Sequence, residues 1–237
     1  MPAGQIIFSQ IGEQEVEVRR AHSVALTVSS CGDGACTGFG IFTVTQGLQS
    51  DDDNAVNAKA AMTAAQTITT ELLQNFYYRT LFENDDIPLV NDTLQNALNL
   101  ASQRIQSQNT GGHSSAITLV INDNRLYLMR VGAGCAFLIT KDGIQRLTSE
   151  NSAQHNGAGL IGSAATLQPE DVTIKYLPSY SSLFISNADV WDTTEILNAI
   201  LHAPSLGKAG AILLEQAPEN IRADIAGVLI RVGLVQE

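Results

Sequence analysis

GHSSAITLVINDNRLYLMRVGAGCAFLITKDGIQRLTSEN, residues 112–151, decides the fold. Ile117, Leu119 and Ile121 alternate with Thr118 and Val120, and Leu126, Leu128, Phe137 and Ile139 continue the pattern. A period of two places successive side chains on opposite faces of a strand. The breaks fall at Asn122-Asp123-Asn124 and Asp142-Gly143. These residue types accept the positive φ that tight hairpins need. The stretch therefore predicts a run of paired strands. Its middle segment, RVGAGCAFL at 130–138, is more distinctive than a generic strand.

Upstream, residues 5–8 and 14–30 read as strands, with Val16, Val18, Val24, Leu26 and Val28 keeping the period of two. Residues 31–34 form a turn, and GFGIFTVT at 38–45 is an apolar, β-branched strand. A polar loop at 46–54 leads into a helix over about 53–78, whose face of Ala55, Ala58, Met62, Ala65, Ile68, Leu72 and Phe76 turns toward a sheet. Asp51, Asp52 and Asp53 stand where a helix N-terminus favours anions and a cap, with metal binding as the alternative role. Residues 83–88 break the helix. Asn91-Asp92 caps a second one over about 92–107, with Leu94, Leu98, Ala101 and Ile105 on one face.

Downstream, the Gly-, Ala- and Ser-rich residues 152–170 read as a loop or flap. Strands follow at 172–176 and 182–186, helices at 193–201 and 208–216, and a last strand at 223–232. Strands and helices do not alternate regularly, which argues against a doubly wound parallel sheet. An α+β architecture of antiparallel sheets with helices outside fits better. No linker or repeat divides the chain, so 1–237 is expected to be one domain.

The 237 residues are 44% hydrophobic and 16% charged, a globular composition. A formal net charge of −11, with the basic residues scattered, argues against nucleic acid as a partner. Cys31, Cys36 and Cys135 lack the partners of a zinc site and read as reduced thiols. There is no basic, apolar leader at the start and no apolar run of about 20 residues, so a cytoplasmic protein without a membrane span is expected.

Phosphate-cradling Gly-rich loops, Gly-x-Ser-x-Gly elbows and His-Glu-x-x-His helices are absent. His113 beside Ser114-Ser115 could pair a base with a nucleophile, although a loop His is more often simply solvated. A broader pattern runs from residue 19 to residue 232. FTVTQGL at 42–48 ends a strand before the long helix, and GGHSSA at 111–116 opens the next strand. RLYLMRVGAGCAFL follows at 125–138, then Gly143 and LTSENS at 147–152, SNAD at 186–189 and DIAGVLI at 224–230. In order and spacing these segments resemble the metal-dependent serine/threonine phosphatases of type 2C, the PPM family.

That resemblance implies an α-β-β-α sandwich, with two Mn or Mg ions held by Asp residues at one end and activating a water. This sequence departs from the family's pattern at the site. Gln46 stands for the bridging Asp, Gly47 keeps its glycine, Asn187 replaces a second Asp and Ala133 a third. Asp224 alone matches directly, and the residue after it is Ile225 rather than Asn. An early acidic motif falls on His22-Ser23-Val24, with no carboxylate. Amides and a lone carboxylate carry too little negative charge to hold two divalent cations. The expectation is a catalytically impaired, pseudophosphatase-type binding or regulatory module without a metal cofactor, acting on a protein partner, phosphorylated or not. The alternative is a divergent Mn- or Mg-dependent phosphatase whose site is rebuilt from Asp33, Asp51, Asp52, Asp53, Asp189 and Asp224.

Overall fold

The period-two segments pair as antiparallel strands, and the helices lie outside them. The computed structural model describes residues 4–12, 21–32, 35–48, 54–77, 87–108, 111–122, 125–150, 159–178 and 180–234. The chain begins β1 (Gly4–Ile11), β2 (Ala21–Gly32), β3 (Ala35–Leu48), α1 (Asn54–Leu72) with a π-helical turn at Leu73–Tyr77, and α2 (Ile87–Ser107). Next come β4 (His113–Asn122), β5 (Arg125–Val131), β6 (Cys135–Thr140), β7 (Gly143–Arg146), β8 (Asp171–Tyr176) and β9 (Ser181–Ser186). It closes with α3 (Thr193–His202), α4 (Leu206–Gln216), a single turn α5 (Glu219–Arg222) and β10 (Gly227–Leu234).

The strands form two five-stranded sheets, ordered β1-β10-β9-β6-β7 and β2-β3-β4-β5-β8. Three apolar layers hold the stack together. Phe42, Ile117, Leu119, Leu183 and Val228 fill the space between the sheets. Ile41, Ile68, Leu98, Val120 and Tyr127 lie between the second sheet and α1 and α2. Phe184, Trp191, Ile196 and Leu213 lie between the first sheet and α3 and α4. Each such side chain contributes about 1.5–3 kcal/mol when fully buried. β4 is covered on both faces, which is why Ile117 and Val120 are both apolar although they point opposite ways.

The α+β sandwich expected from the sequence is present, with differences at particular elements. In α1 the buried face is Asn57, Ala60, Ala61, Ala64, Ala65, Ile68 and Leu72, while Ala55 is exposed and Met62 is 41% exposed. The helix sits close to the sheet, and small side chains face it. A Cβ on Gly47 would lie 1.8 Å from the Asn57 carbonyl oxygen, so the backbones touch there. A bulky Met has no room on that face. α2 begins at Ile87 rather than near residue 92, because Pro88 falls in the first turn, where its missing N–H costs nothing. β10 begins at Gly227 rather than 223, and residues 223–226 form a turn.

The described part of the expected flap, residues 159–170, is lashed to α2. Gly162 N donates to Ser102 Oγ (2.8 Å) and Leu167 N to Asn99 Oδ1 (3.0 Å). Gln95 and Ser102 in turn donate to the carbonyls of Leu167 and Ala164. Ile161 and Leu167 are buried in the layer under α1 and α2. The expected strand alternation at Val16 and Val18 lies outside the described residues. The turn at 31–34 is narrower than expected, since Cys31 and Gly32 still pair with Cys36 and Ala35.

Candidate functional site

One end of the sandwich gathers the positions that the sequence singled out. Gln46, half-buried near the end of β3, lies opposite Ala21 on β2 and Ser115 on β4. Strand alternation turns Gln46 toward the space between the sheets, on the face of Phe42 and Val44. The β5–β6 turn, Gly132-Ala133-Gly134, crosses from one sheet to the other. Gly132 takes φ 73° and Gly134 φ 137°. A Cβ on Gly132 would sit 2.9 Å from Ser115 Cβ, and one on Gly134 would sit 3.0 Å from the Ser186 carbonyl. The turn therefore bridges Ser115, beside Gln46, and Ser186, which precedes Asn187.

Both polar atoms of the buried Asn187 carboxamide are engaged by backbone. Its Nδ2 donates to the Asp224 carbonyl (2.8 Å), and its Oδ1 accepts from Ala226 N (2.8 Å). Asn187 N also donates to the Ala226 carbonyl (3.1 Å). This clamp forms the turn at 223–226 and delays the start of β10. Asp224 is thus tied in through its backbone, and its side chain is half-buried.

Beneath the turn lies Arg130, 1% exposed. Its Nε meets Asp171 Oδ2 at 2.6 Å and its Nη2 meets Glu170 Oε2 at 3.4 Å. Nη1 donates to the Gly132 carbonyl (3.1 Å) and Nη2 to Ser149 Oγ (2.6 Å). Gly132 N donates to Glu170 Oε1 (3.1 Å), so the turn is held through both its amide and its carbonyl. Sequence reasoning passed over this cluster. Its one signal was a charged residue, Arg130, between the apolar run 126–129 and Val131.

Asp189, two residues beyond Asn187, lies close enough to Cys135 at the start of β6 to act on its thiol electrostatically. It forms an ion pair with Arg146 of β7, with Nη1 to Oδ1 at 3.0 Å. The hydrogen bond to that carboxylate raises the Arg146 pKa above its ordinary value, against desolvation. His113 and Ser114 do not form a base and nucleophile. The Ser114 hydroxyl donates to the Ser115 carbonyl (2.8 Å), with the Gln46 carbonyl at 3.1 Å. His113 Nδ1 and Ser115 Oγ are buried without hydrogen-bond partners. His22 and Ser23 lie along β2 opposite Thr45 and Val44. Asp33, Asp51, Asp52 and Asp53 lie outside the described residues.

No protein-family model matches the chain, and no curated protein does. Solved structures do match. A bacterial serine phosphatase superposes with TM-score 0.67 at 15% identity, covering 100% of both chains. The catalytic domain of the serine/threonine phosphatase PstP, solved with two manganese ions, gives 0.67 at 12% identity over 98% of this chain and 100% of that one. The S. agalactiae serine/threonine phosphatase gives 0.67 at 14% identity over 98% and 99%. The chain has the fold of the PPM-type serine/threonine phosphatases.

The phosphatase fold makes the donor set at the sandwich end testable against metal chemistry. Manganese and magnesium take oxygen ligands, chiefly carboxylates and water, in octahedral geometry. Gln46 offers a neutral amide and Ala133 no donor, while both polar atoms of the Asn187 side chain are engaged by backbone. Asp224 is the one carboxylate among the four positions. Among the described residues no three His, Cys, Asp or Glu side chains group to hold a metal ion. The described donors do not fit a two-metal centre. No helix among the described residues is long and apolar enough to cross a membrane.

Proposed function

We propose that this chain is a catalytically impaired phosphatase-type module, a cytoplasmic protein that binds a protein partner and regulates without turnover. The Asn187 clamp carries the reading. A carboxylate at that position would ligate metal through its oxygens, whereas here both polar atoms of the side chain bind the backbone of residues 224–226. Gln46 and Ala133 add no anionic oxygen. Without a metal-activated hydroxide, water near neutral pH is a poor nucleophile toward phosphate, and charge on the transferring group goes unstabilised.

The rival reading is a Mn- or Mg-dependent phosphatase with a rebuilt site. One observation favours it. Asn57, in the first turn of α1, packs on Gly47, so α1 starts at this end of the sandwich and Asp51 to Asp53 directly precede it in sequence. Phosphate release from a phosphoserine peptide in millimolar manganese separates the two readings. Release at the rate of the protein-free control is expected. Manganese-dependent release that disappears in Asp224→Ala would establish the rival.

A further inference from the structure

β8 reads Asp-Val-Thr-Ile-Lys-Tyr, and its alternation puts Val172, Ile174 and Tyr176 on one face. These residues are 46%, 37% and 65% exposed. They are not stray surface residues. Val172 lies opposite Met129 and Ile174 opposite Tyr127, two side chains buried in the layer under α1 and α2. The apolar floor of that layer therefore runs out from under the helices onto β8. β8 is last in its sheet, hydrogen-bonded to β5 on one side only among the described residues. Natural edge strands are usually guarded by outward charges or prolines. Here the charged Asp171 and Lys175 point to the other face, where Asp171 binds Arg130 and Lys175 reaches Gln145, and the charge on this face, Arg125 of β5, lies over the Tyr176 ring at one end and leaves Val172 and Ile174 unguarded.

Beside Val172 is a cleft of about 370 Å³, lined by Asn91, Asp92, Leu94 and Pro169 among others. The exposed Asp92 gives that end of the strip an acidic group. A second copy of the chain is a poor occupant. Two molecules of formal net charge −11 repel one another. A six-residue edge, about 20 Å long, also offers far less than the roughly 1,200 Å² of a stable protein–protein contact. A single extended strand needs no larger area.

We propose that β8 is a strand-addition site for an extended peptide segment of a partner protein. The segment carries apolar side chains at alternate positions, facing Val172, Ile174 and Tyr176. A Lys or Arg at one end enters the cleft beside Asp92. Main-chain hydrogen bonds supply affinity, and the alternate side chains supply selectivity. This surface differs from the sandwich end, and the proposal stands whether or not phosphate is turned over there.

The test is selection of a displayed library of random 12-residue peptides on the purified full chain. One enriched peptide is then synthesised and titrated by fluorescence anisotropy. Enriched peptides are expected to alternate apolar and polar residues and to carry a terminal basic residue. Ile174→Lys, at an exposed position, should weaken binding at least tenfold without shifting the melting temperature, and Tyr176→Ser should repeat the loss independently. Asp92→Asn should weaken binding less and flatten its salt dependence. Bound peptide should slow amide exchange at residues 171–176. No enrichment, or binding indifferent to both Ile174→Lys and Tyr176→Ser, overturns the proposal. So does a concentration-dependent dimer that Ile174→Lys abolishes, which would make a second copy the occupant.

Discussion

Asn187 shows how one buried side chain can organise a turn. Its amide nitrogen donates to the Asp224 carbonyl and its oxygen accepts from Ala226 N, a pairing that only a carboxamide completes. Asn187→Asp keeps the acceptor but sets a carboxylate oxygen against the Asp224 carbonyl. The variant is expected to lose about 2 kcal/mol in urea unfolding, the scale of a buried polar group left unsatisfied. Calorimetric titration of the variant with manganese should show no heat of binding. Recovery of stability by manganese would instead show that one residue separates this end from a metal centre. The places of Gln46, Ala133 and Asn187 beside strand ends were legible in the sequence, because the flanking apolar strands fix them. The job of Asn187 was not legible, because its bonds reach 37 and 39 residues along the chain. Asp189 was open as a substitute ligand for the same reason. Its Arg146 partner lies 43 residues away on β7.

At the scale of elements, the β5–β6 turn, Gly132-Ala133-Gly134, is fixed from below by Arg130. Arg130→Ala would strand Glu170 and Asp171 around an empty space and release Gly132. Breaking one side of a buried ion pair costs about 3–5 kcal/mol, and a loss in that range is expected in chemical denaturation. Arg130→Lys should recover only part of it, since an ammonium cannot reproduce the guanidinium's several directed bonds. A full recovery would mean that charge alone, not the fork, holds the turn. The second element-level constraint is the contact of α1 with β3. Gly47→Ala places a methyl 1.8 Å from the Asn57 carbonyl, an overlap that backbone alone must relieve. A loss of about 3 kcal/mol or more is expected, at the upper end for overpacking. Helix positions were legible from spacing at three and four, but the rotation of α1 was not. Hydrophobicity favoured Met62 as a buried residue, whereas the close approach at Gly47 selects Ala60, Ala61 and Ala64. α2 was placed well by Leu94, Leu98, Ala101 and Ile105, and missed only at its start, where Pro88 reads as a breaker and serves as a first-turn residue.

Across the whole molecule, helices outside antiparallel sheets were legible from the irregular order of strands and helices, while the α-β-β-α layering followed from the family resemblance, since a strand buried on both faces, such as β4, does not say what covers it. The short α5 and the exact lashing of residues 159–170 to α2 were not, since hydrogen bonds from Gln95, Asn99 and Ser102 decide the latter and leave no period in the sequence. Global stability also carries a pH signature from one buried thiol. Cys135 is 0% exposed, its Sγ lies 3.0 Å from the Ala188 carbonyl, and burial pushes its pKa well above the ordinary 9.0. The sign follows from proton counting. Above pH 9 the unfolded chain releases this proton while the folded chain keeps it, so stability is intact below that pH and falls as pH rises. The slope approaches 1.4 kcal/mol per pH unit until the folded thiol ionises. Other groups titrate in the same window, but they do so equally in Cys135→Ala. Urea unfolding of both proteins in reductant at pH 8 and pH 10.5 isolates the thiol. Cys135→Ala should be the less stable at pH 8, by about 1–2 kcal/mol for the lost packing and hydrogen bond. By pH 10.5 that difference should shift by about 2 kcal/mol in favour of the variant. A difference unchanged between the two pH values would show that the thiol ionises in the folded protein as readily as in the unfolded chain, and that the layer between β6 and α3 admits water.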